Sequence, residues 1–553
     1  MACRPVRYAR RMLADDWWRH AVIYQVYPRS FADSDGDGMG DLPGVISRLP
    51  YLADLGVDAL WLNPFYASPQ NDAGYDVADY RRVDDLFGTV ADAEKLIEAA
   101  HALGLRVIFD IVPNHTSSAH AWFVEALATP PGTGIWSRYH CVRGRGADGQ
   151  EPPNDWLSVF GGLAWTQIPD PASGDPSGWW YLHLFDTTQP DLNWNDPEVW
   201  AEHERVLRFW FDRGVDGFRI DVAHGLVKTE DYPMSGEQPG MYSLELDTPV
   251  LPQWDQPGVH EVYRAWRGIA NSYDPPRAFC GEVVVPTPES HAMYLRTDEL
   301  HTAFNFHYLR TRWDAAHLRE VIDHSLATAG SIGAPCTWVL SNHDVRRHVT
   351  RLAPVESDGS VDLERGLARA RAASMVMLAL PGSAYLYQGE ELGLPEVIDL
   401  PAEARQDPTF LRTAGEVIGR DGCRVPIPWE GTTPSFGFGP GEESWLPQPD
   451  FFAELSVAAQ TGVADSTLEM YRSALRIRKD QPGLGDGELE WLDSPPDVVA
   501  FARGSITVVA NMGDRPITWP ATELLLASSP AVTFANGSVA VEPETAVWIS
   551  GRR

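Results

Sequence analysis

Eight short apolar stretches, most of them separated by amphipathic helical segments, constrain the fold of this chain more than any other feature. Most end in polar residues, and they begin at Val22, Ala59, Leu105, Val215, Ala278, Ala303, Thr337 and Ser383. Fully apolar strands that alternate with helices are typical of a parallel sheet. Asp92–Gly104 and Pro197–Gly214 have the apolar spacing expected of the intervening helices. Eight such units predict an α/β fold, a (β/α)8 TIM barrel.

Two gaps between the predicted units are too long for plain strand-to-helix connections. Residues 116–196, between the third and fourth strands, are rich in Gly, Pro, Trp and Asp, which predicts an inserted subdomain over the barrel mouth. A second, irregular insertion spans about 391–449. The catalytic barrel is therefore expected in residues 1–115 and 197–485.

The apolar pattern changes after a predicted helix around Ser466–Lys479. Residues 486–553 alternate between apolar and polar side chains, as strands with one exposed face do. Gly504-Ser505 and Asn536-Gly537 are two-residue turn signals between such strands. This region predicts a small C-terminal antiparallel β domain.

The overall charge of the chain limits its partners. A formal net charge of −33 argues against nucleic-acid partners and against binding to an anionic membrane. No apolar run reaches the length of a membrane span, and the N-terminus has basic residues but no apolar signal-peptide core. We therefore expect a cytoplasmic protein; the sequence leaves open whether it is a monomer or a homo-oligomer.

Polar and charged residues cluster at the ends of four predicted strands. In barrels of this kind the active site lies at the C-terminal ends of the strands. The residues are Asp110, Asn114 and His115 after the third strand, Arg219 and Asp221 after the fourth, Glu282 after the fifth, and His343 and Asp344 after the seventh. Carboxylates, imidazoles and a guanidinium are thus predicted to face one mouth.

This set of side chains suits the cleavage of glycosidic bonds. Retaining hydrolysis uses two carboxyl groups about 5–5.5 Å apart, one as nucleophile and one as acid/base. Arg219 lies two residues before Asp221, so both should point to the same side, where the guanidinium would lower the pKa of Asp221. Glu282 follows an apolar run, where poor solvation would raise its pKa and let it donate a proton. Asp344, with His343, could bind sugar hydroxyls and favour a distorted ring.

Four segments resemble the signature regions of the α-amylase family of glycoside hydrolases, family 13: DIVPNH (110–115), GFRIDVAH (217–224), GEV (281–283) and LSNHD (340–344). The resemblance covers the chain from about Asp16 onward, with the regions in the expected order. QPDLNW (189–194) resembles an additional region of the oligo-1,6-glucosidase and α-glucosidase branch.

The resemblance implies a role for each matching residue. Asp221 would be the nucleophile, Glu282 the acid/base and Asp344 the third, transition-state carboxylate. The implied substrate-binding residues, which would form a pocket for a terminal glucose, are Asp72, Tyr75, His115, Phe160, Arg219, His343 and Arg424. In this pocket Asp72 and Tyr75 would bind the non-reducing glucose and Arg424 its far hydroxyls; together they would close the pocket and make the enzyme exo-acting.

An acidic loop, DSDGDGMGD (33–41), comes close to an EF-hand but is not one, because its twelfth position is Gly44 instead of a Glu. The resemblance implies a structural calcium site, with magnesium as an alternative, at the barrel rim. Its ligands would be the side chains of Asp33, Asp35, Asp37 and Asp41 and the carbonyl of Met39. A metal-free acidic turn is the other reading, and no organic cofactor is expected.

The resulting prediction is an exo-acting, retaining α-glucosidase that acts on small α-glucosides. Val222, after the predicted nucleophile, goes with α-1,6 specificity in parts of the branch, whereas VRRH (345–348) differs from the QPR of many α-1,6 enzymes. We expect α-1,4 linkages of the maltose type to be favoured. The alternatives are an oligo-1,6-glucosidase acting on isomaltose, a transglycosylating α-glucosyltransferase, an endo-acting amylase and, most remote, a non-catalytic binding protein on the same fold.

Overall fold

The computed structural model describes residues 16–236, 250–485 and 487–551. The N-terminal residues considered for a signal peptide, and the predicted domain ends at 1–15, 486 and 552–553, lie outside this part of the chain. Among the described helices, none is long and apolar enough to cross a membrane. The cytoplasmic location stays a prediction.

Eight parallel strands form one sheet at the centre of the molecule, and each lies within or next to a predicted apolar stretch. In chain order they are β1 Val22–Val26, β2 Ala59–Leu62, β3 Arg106–Ile111, β4 Gly217–Ile220, β5 Ala278–Gly281, β6 Thr302–Ala303, β7 Thr337–Val339 and β8 Ser383–Tyr387. Their order in the sheet is β6-β5-β4-β3-β2-β1-β8-β7. The Asn305 N–H donates to the Thr337 carbonyl at 3.0 Å, which links the two edges. The predicted (β/α)8 barrel is confirmed.

The longer helices surround the barrel: α1 Leu42–Leu55, α2 Val90–Ala102, α3 Pro197–Phe211, α4 Val259–Asn271, α5 Ala315–Ser331, α6 Leu363–Ala379 and α7 Thr467–Asp480. Capping residues explain where several of them begin. Thr89 and Asp92 form a reciprocal capping box at α2, and Asp196 caps α3 with Pro197 in its first turn. Shorter helices lie at Ala121–Leu127, Pro288–Met293, Phe306–Leu309, His348–Leu352, Pro408–Arg412, Phe452–Leu455 and Val457–Gln460.

The strands are buried on both faces, which explains why they are apolar throughout. One set of side chains packs in the cluster that includes the helices; the alternate set, with Ile23, Trp61 and Ile108, packs in a separate cluster. Because strand side chains alternate, the next residue on the same side is two positions further on. The residues at these positions are Gln25, Asn63, Asp110 and Glu282, and all four are buried. The apolar barrel interior is therefore followed, at its C-terminal end, by a polar layer.

Residues 116–196 contain a small sheet of their own. Its three antiparallel strands are Cys141–Arg143, Trp165–Pro169 and Pro176–Leu182, with the last strand in the middle. A bridge between His115 and Asp191 joins the start of this region to its end. A further two-stranded sheet pairs Tyr66–Ala67 with Asp79–Val83.

The C-terminal region is antiparallel β structure, as predicted. Its strands are Glu490–Trp491, Val498–Arg503, Ile506–Asn511, Ile517–Pro520, Glu523–Ala527, Thr533–Ala535, Ser538–Val541 and Thr545–Ser550. Both expected hairpin turns are present; Asn536 and Gly537 have φ angles of 53° and 75°, which suit a tight two-residue turn. Trp548 donates to the Met375 carbonyl at 3.1 Å and so ties the sheet to α6. The domain limits themselves stay predictions.

Candidate active site

Arg219 binds three buried carboxyl groups at the barrel mouth. Its NH1 lies 2.7 Å from Asp221 Oδ1 and 3.1 Å from Asp110 Oδ1, and its NH2 lies 2.9 Å from Glu282 Oε2. Asp110 and Arg219 are direct neighbours in the register of β3 and β4, and Arg219 and Asp221 lie two positions apart. The fold therefore brings these four residues, the Arg219 cluster, together from three adjacent strands.

Burial dominates the ionisation of the Arg219 cluster. It raises the pKa of Asp110 to about 7 and holds the pKa of Asp221 well above its ordinary value, while the Arg219 guanidinium opposes both shifts. Burial also raises the pKa of Glu282, again against Arg219. The sequence predicted a lowered pKa for Asp221; that net direction is wrong, because one guanidinium shared among several carboxyls does not offset their burial and mutual repulsion.

Asp221 and Glu282 are both bound by the Arg219 guanidinium, at 2.7 and 2.9 Å. The Val222 N–H also donates to Glu282 Oε2 at 3.0 Å, and Val222 has a φ of 44°. A β-branched residue in this left-handed region is strained. The strained backbone points the N–H at Glu282 directly after Asp221, so the two carboxyls are held on adjacent strand ends.

A second arginine, Arg420, binds a separate set of carboxyl groups. Its NH2 lies 2.9 Å from Asp72 Oδ1, its NH1 2.8 Å from Asp344 Oδ1, and its Nε 2.5 Å from Asp407 Oδ2. Arg424 NH2 also lies 3.1 Å from Asp344 Oδ1. Arg420, Asp72, Asp344 and Asp407 form the Arg420 cluster, which joins the loops after β2, β7 and β8.

The ionisation of the Arg420 cluster differs from that of the Arg219 cluster. Burial alone would raise the pKa of Asp407, but Arg420 and Arg424 lower it to about 2. Burial likewise opposes ionisation of Asp344, yet the Arg420 and Arg424 guanidinium groups bring its pKa below the ordinary value. Only Asp72 differs, because burial outweighs Arg420 and raises its pKa to about 6.

The two clusters meet at one cavity of about 550 Å³. It is lined by Asp72, Tyr75, His115, Val159, Phe160, Phe185, Asp221, Val222, Glu282, Arg310, Asp344, Thr409, Val417, Gly419 and Arg420. A cavity of this size accommodates a small ligand such as a sugar unit. The lining combines carboxyl groups of both clusters with aromatic and aliphatic side chains.

Several predicted binding residues lie in this cavity. The His115 Nε2 is 3.2 Å from the Tyr75 carbonyl, and burial lowers the pKa of His115 to about 4, so the ring is neutral. The Tyr75 hydroxyl donates to Asp110 Oδ2 at 3.0 Å. Phe160 packs under the Arg420 guanidinium, whose carbon lies 5.0 Å from the ring centre.

Comparison with known proteins identifies the family. Residues 25–487 match the family model described as alpha amylase, catalytic domain. The chain belongs to the alpha-amylase family of glycoside hydrolases. A "Probable alpha-glucosidase" of Rhizobium meliloti (strain 1021) is 38% identical over 520 residues, which cover 91% of this chain and 90% of the relative. An "Oligo-1,6-glucosidase" of Heyndrickxia coagulans is 31% identical, with 91% and 93% covered.

Solved structures of this family agree in fold. The alpha-glucosyl transfer enzyme XgtA is 36% identical, superposes with a TM-score of 0.84 and is matched over 97% of this chain and 99% of its own. The trehalulose synthase MutB from Pseudomonas mesoacidophila MX-45 is 30% identical with a TM-score of 0.84 and the same coverage. Alpha-amylase family enzymes with different reactions therefore share this architecture.

Three predicted substrate-binding residues, Arg219, His343 and Arg424, are not among the residues that line the cavity. Arg424 is buried and donates from Nε to the His343 carbonyl at 2.9 Å. The arginine of this loop that lines the cavity is Arg420, which contacts Asp72 at 2.9 Å. GRDGCR (419–424) contains both arginines in an irregular loop, where no periodicity indicates which side chain points inward.

Other contributors to the site were not predicted. Asp407 holds Arg420, and Gln189 donates to Asp72 Oδ2 at 3.1 Å. Gln189 opens the QPDLNW segment, so its position was recognised as a family signature but not as a contact of the pocket. Asp407 lies 63 residues after the last signature region (340–344), in a loop without a repeating pattern.

The acidic loop brings together three of its five predicted ligands. Oxygens of Asp33, Asp35 and Asp37 all lie within 4.8 Å of one another. Burial, and then the neighbouring acids, raise the pKa of Asp37, so a cation would relieve repulsion here. Asp41 is not part of this group: its Oδ1 accepts from the Gly44 N–H and caps α1. The donor set fits a hard, oxygen-preferring cation.

Proposed function

We propose that this protein is an exo-acting, retaining α-glucosidase that removes terminal non-reducing glucose from short α-linked oligosaccharides. The observation that carries the proposal is that one guanidinium, Arg219, binds both the Asp221 and the Glu282 carboxyls, at 2.7 and 2.9 Å, at one cavity. Retaining enzymes keep their carboxyls about 5–5.5 Å apart, whereas inverting enzymes leave space for a water between them. Two carboxyls that share one guanidinium favour the retaining mechanism.

Glu282 is the acid/base and Asp221 the nucleophile in this mechanism. Glu282, with its raised pKa, donates a proton to the glycosidic oxygen as Asp221 attacks C1; the C1–O bond breaks and a β-glucosyl ester forms on Asp221. Water then gives a proton to Glu282 and attacks C1, which frees Asp221 and yields α-glucose. This mechanism requires the proton on Glu282 and an ionised Asp221; the Arg219 guanidinium, 2.7 Å from Asp221 Oδ1, favours that ionised form against the effect of burial.

The Arg420 cluster supports exo-action and binding of the ring. Asp344, whose pKa is lowered, presents a negative charge in the same cavity as the reacting carboxyls. Such a charge favours the oxocarbenium-like transition state. Asp72 and Arg420 form the part of the wall that would meet the non-reducing end of the sugar, where a longer chain would have to pass.

For the linkage we propose a preference for α-1,4 bonds of the maltose type, with some α-1,6 activity. The relative named alpha-glucosidase is 38% identical and those named oligo-1,6-glucosidase are 31–32% identical. Val222, which lines the cavity, is the feature that favours α-1,6 specificity instead.

The test is initial-rate glucose release from maltose, isomaltose, sucrose, trehalose and soluble starch, with Asp221→Ala as the inactive reference. Preference for maltose supports the proposal, and preference for isomaltose reverses the linkage while keeping the mechanism. Internal cleavage of starch faster than hydrolysis of maltose would contradict exo-action. Activity that survives in Asp221→Ala would contradict the nucleophile.

Transglycosylation is a second candidate, because the β-glucosyl ester can be attacked by a hydroxyl other than that of water. Its support is the 36% identity to an alpha-glucosyl transfer enzyme and the apolar side of the cavity formed by Val159, Phe160 and Val417. Product analysis at rising maltose concentration tests it. If transfer competes, trisaccharide accumulates while glucose release per maltose consumed falls; a constant ratio would exclude it under these conditions.

For the acidic loop we propose a structural calcium, with magnesium as the alternative, held by Asp33, Asp35 and Asp37. A bound cation would neutralise the loop and stabilise the rim, as a ligand stabilises any folded state that it binds selectively. Calorimetric titration and the melting temperature test this on the chelated protein. Asp35→Asn should abolish the calcium-dependent rise in melting temperature and leave maltose kinetics unchanged, whereas Asp358→Asn, in another exposed loop, should leave both unchanged. A rise that persists in Asp35→Asn would contradict the site.

A further inference from the structure

A line of buried hydrogen bonds runs behind the cavity from His343 to Asp110. Gln25 Nε2 lies 2.8 Å from both His343 Nδ1 and Asn63 Oδ1. Asn63 Nδ2 donates to the Tyr75 hydroxyl at 2.7 Å, and that hydroxyl donates to Asp110 Oδ2 at 3.0 Å. Gln25 and Asn63, the amide relay, have no role in the reaction as described so far.

The direction of these hydrogen bonds is set at Asp110. Its carboxyl accepts from the Arg219 guanidinium and from Trp61 Nε1, both obligatory donors. The Tyr75 hydroxyl therefore donates to Asp110 and must accept from Asn63 Nδ2. That leaves Asn63 Oδ1 facing Gln25, whose amide nitrogen has two hydrogens and donates to both of its neighbours.

This direction determines where His343 carries its proton. Since Nδ1 accepts from Gln25, the neutral ring must be protonated on Nε2. Burial holds the pKa of His343 well below its ordinary value, so the ring has only one N–H to place. The ring is also stacked between Tyr75, 5.2 Å away between centres, and Tyr27, 5.9 Å away, which restricts its rotation.

His343 Nε2 is buried and forms no hydrogen bond of acceptable geometry with any described residue, although Asp344 Oδ2 lies 3.2 Å away. Buried polar groups are ordinarily paired, so an unpaired donor beside a cavity residue needs a partner. The hydroxyls of a ring bound against Asp344 are the available acceptors.

We propose that Gln25 is a positioning residue that keeps His343 in the Nε2–H form, so that this N–H donates to a hydroxyl of the bound glucose. The identity of the sugar rests on the proposed α-glucosidase function; the proton position on His343 does not. Gln25 would thus act on the substrate through His343 from the inner side of β1.

The proton position can be measured on the ligand-free enzyme, without any activity. Long-range ¹⁵N–¹H NMR of the protein labelled at histidine, with the His343 signals assigned by their loss in His343→Asn, distinguishes a protonated ring nitrogen from a bare one. We expect Nε2 protonated and Nδ1 bare in the wild type. A protonated Nδ1 would overturn the proposal even if the enzyme is an α-glucosidase.

Kinetics separate positioning from a general structural effect. Gln25→Met removes both amide donors at similar size, and we expect kcat/KM for maltose to fall about tenfold, the worth of one uncharged hydrogen bond. Among maltosides lacking single hydroxyls on the terminal ring, the penalty for one missing hydroxyl should shrink in this variant. A uniform loss across the series would contradict positioning. Gln388→Met, at an equally buried glutamine that contacts Tyr27 and Ser30, should leave the series unchanged.

Discussion

The two arginine clusters at the barrel mouth use the same residue types to opposite effect. Arg219 serves three buried carboxyl groups alone, and burial keeps the pKa values of Asp110, Asp221 and Glu282 above their ordinary range. Arg420 has the help of Arg424, and together they keep Asp344 and Asp407 ionised. The ratio of guanidinium to carboxyl groups, at similar burial, decides which side can exchange protons.

This difference assigns chemistry to one side of the cavity and binding to the other. A carboxyl whose pKa is raised toward neutrality can both donate and accept a proton, which an acid/base requires. A carboxyl held ionised offers a fixed charge and acceptor oxygens, which suit hydroxyl binding and the developing positive charge. The site therefore combines proton-exchanging carboxyls around Arg219 with Asp344, which Arg420 and Arg424 hold ionised.

The largest effect is expected when the variants Glu282→Gln and Asp344→Asn are compared, one from each cluster. Without its acid, Glu282→Gln should lose about 10³-fold in kcat/KM on maltose but much less on α-glucosyl fluoride, because fluoride leaves without a proton. Asp344→Asn should lose similar factors on both substrates. Steady-state kinetics on the two substrates decide; equal losses in Glu282→Gln would remove the proton-exchanging role from the Arg219 side.

Arg420→Met tests the binding side. The variant removes the guanidinium that holds Asp72 and Asp344, and we expect kcat/KM for maltose to fall about 10²-fold, mainly through a higher KM, since binding far from the bond is lost. The control is Arg412→Met, which cuts the contact of the same loop to the Gly161 carbonyl and Asp186. If the control loses as much, loop anchoring and not the Arg420 contact is responsible.

A smaller effect should appear in the pH profile. The rate rises with pH as Asp221 ionises and falls as Glu282 loses its proton. Asp110→Asn removes a negative charge that raises the pKa of Asp221, so the acidic limb of kcat/KM should move to lower pH, by about one unit. Asp407→Asn, in the Arg420 cluster, should leave the acidic limb in place. An acidic limb that shifts equally in both variants would show that Asp110 has no particular effect on Asp221.

Most of the barrel and the reacting carboxyls could be predicted from the sequence, because their signals are local. Each buried strand is a continuous apolar run, and Asp221 and Glu282 follow such runs directly. The net ionisation of Asp221 could not be predicted, since it depends on how many carboxyls share Arg219 after folding.

The Arg420 cluster and the amide relay could not be predicted from the sequence, for a different reason. Arg420 and Asp407 lie in an irregular loop after β8, where spacing does not indicate direction. Gln25 is one polar residue within an apolar strand, and its importance appears only when β1 places it against His343 from β7. Such contacts across the barrel depend on the closed sheet, and the neighbouring residues in the sequence do not indicate them.

The most direct test of the account is to trap the glucosyl ester. 5-Fluoro-α-glucosyl fluoride should react quickly at C1 and hydrolyse slowly, because the ring fluorine disfavours the positive charge of both transition states while fluoride leaves readily. Mass spectrometry of the digested enzyme should find one added fluoroglucosyl group, on the peptide that contains Asp221, and none in Asp221→Ala. A label on Asp344 or Asp110, or a β-anomer as the first sugar released from maltose, would contradict the assignment of Asp221 and the division between the two clusters.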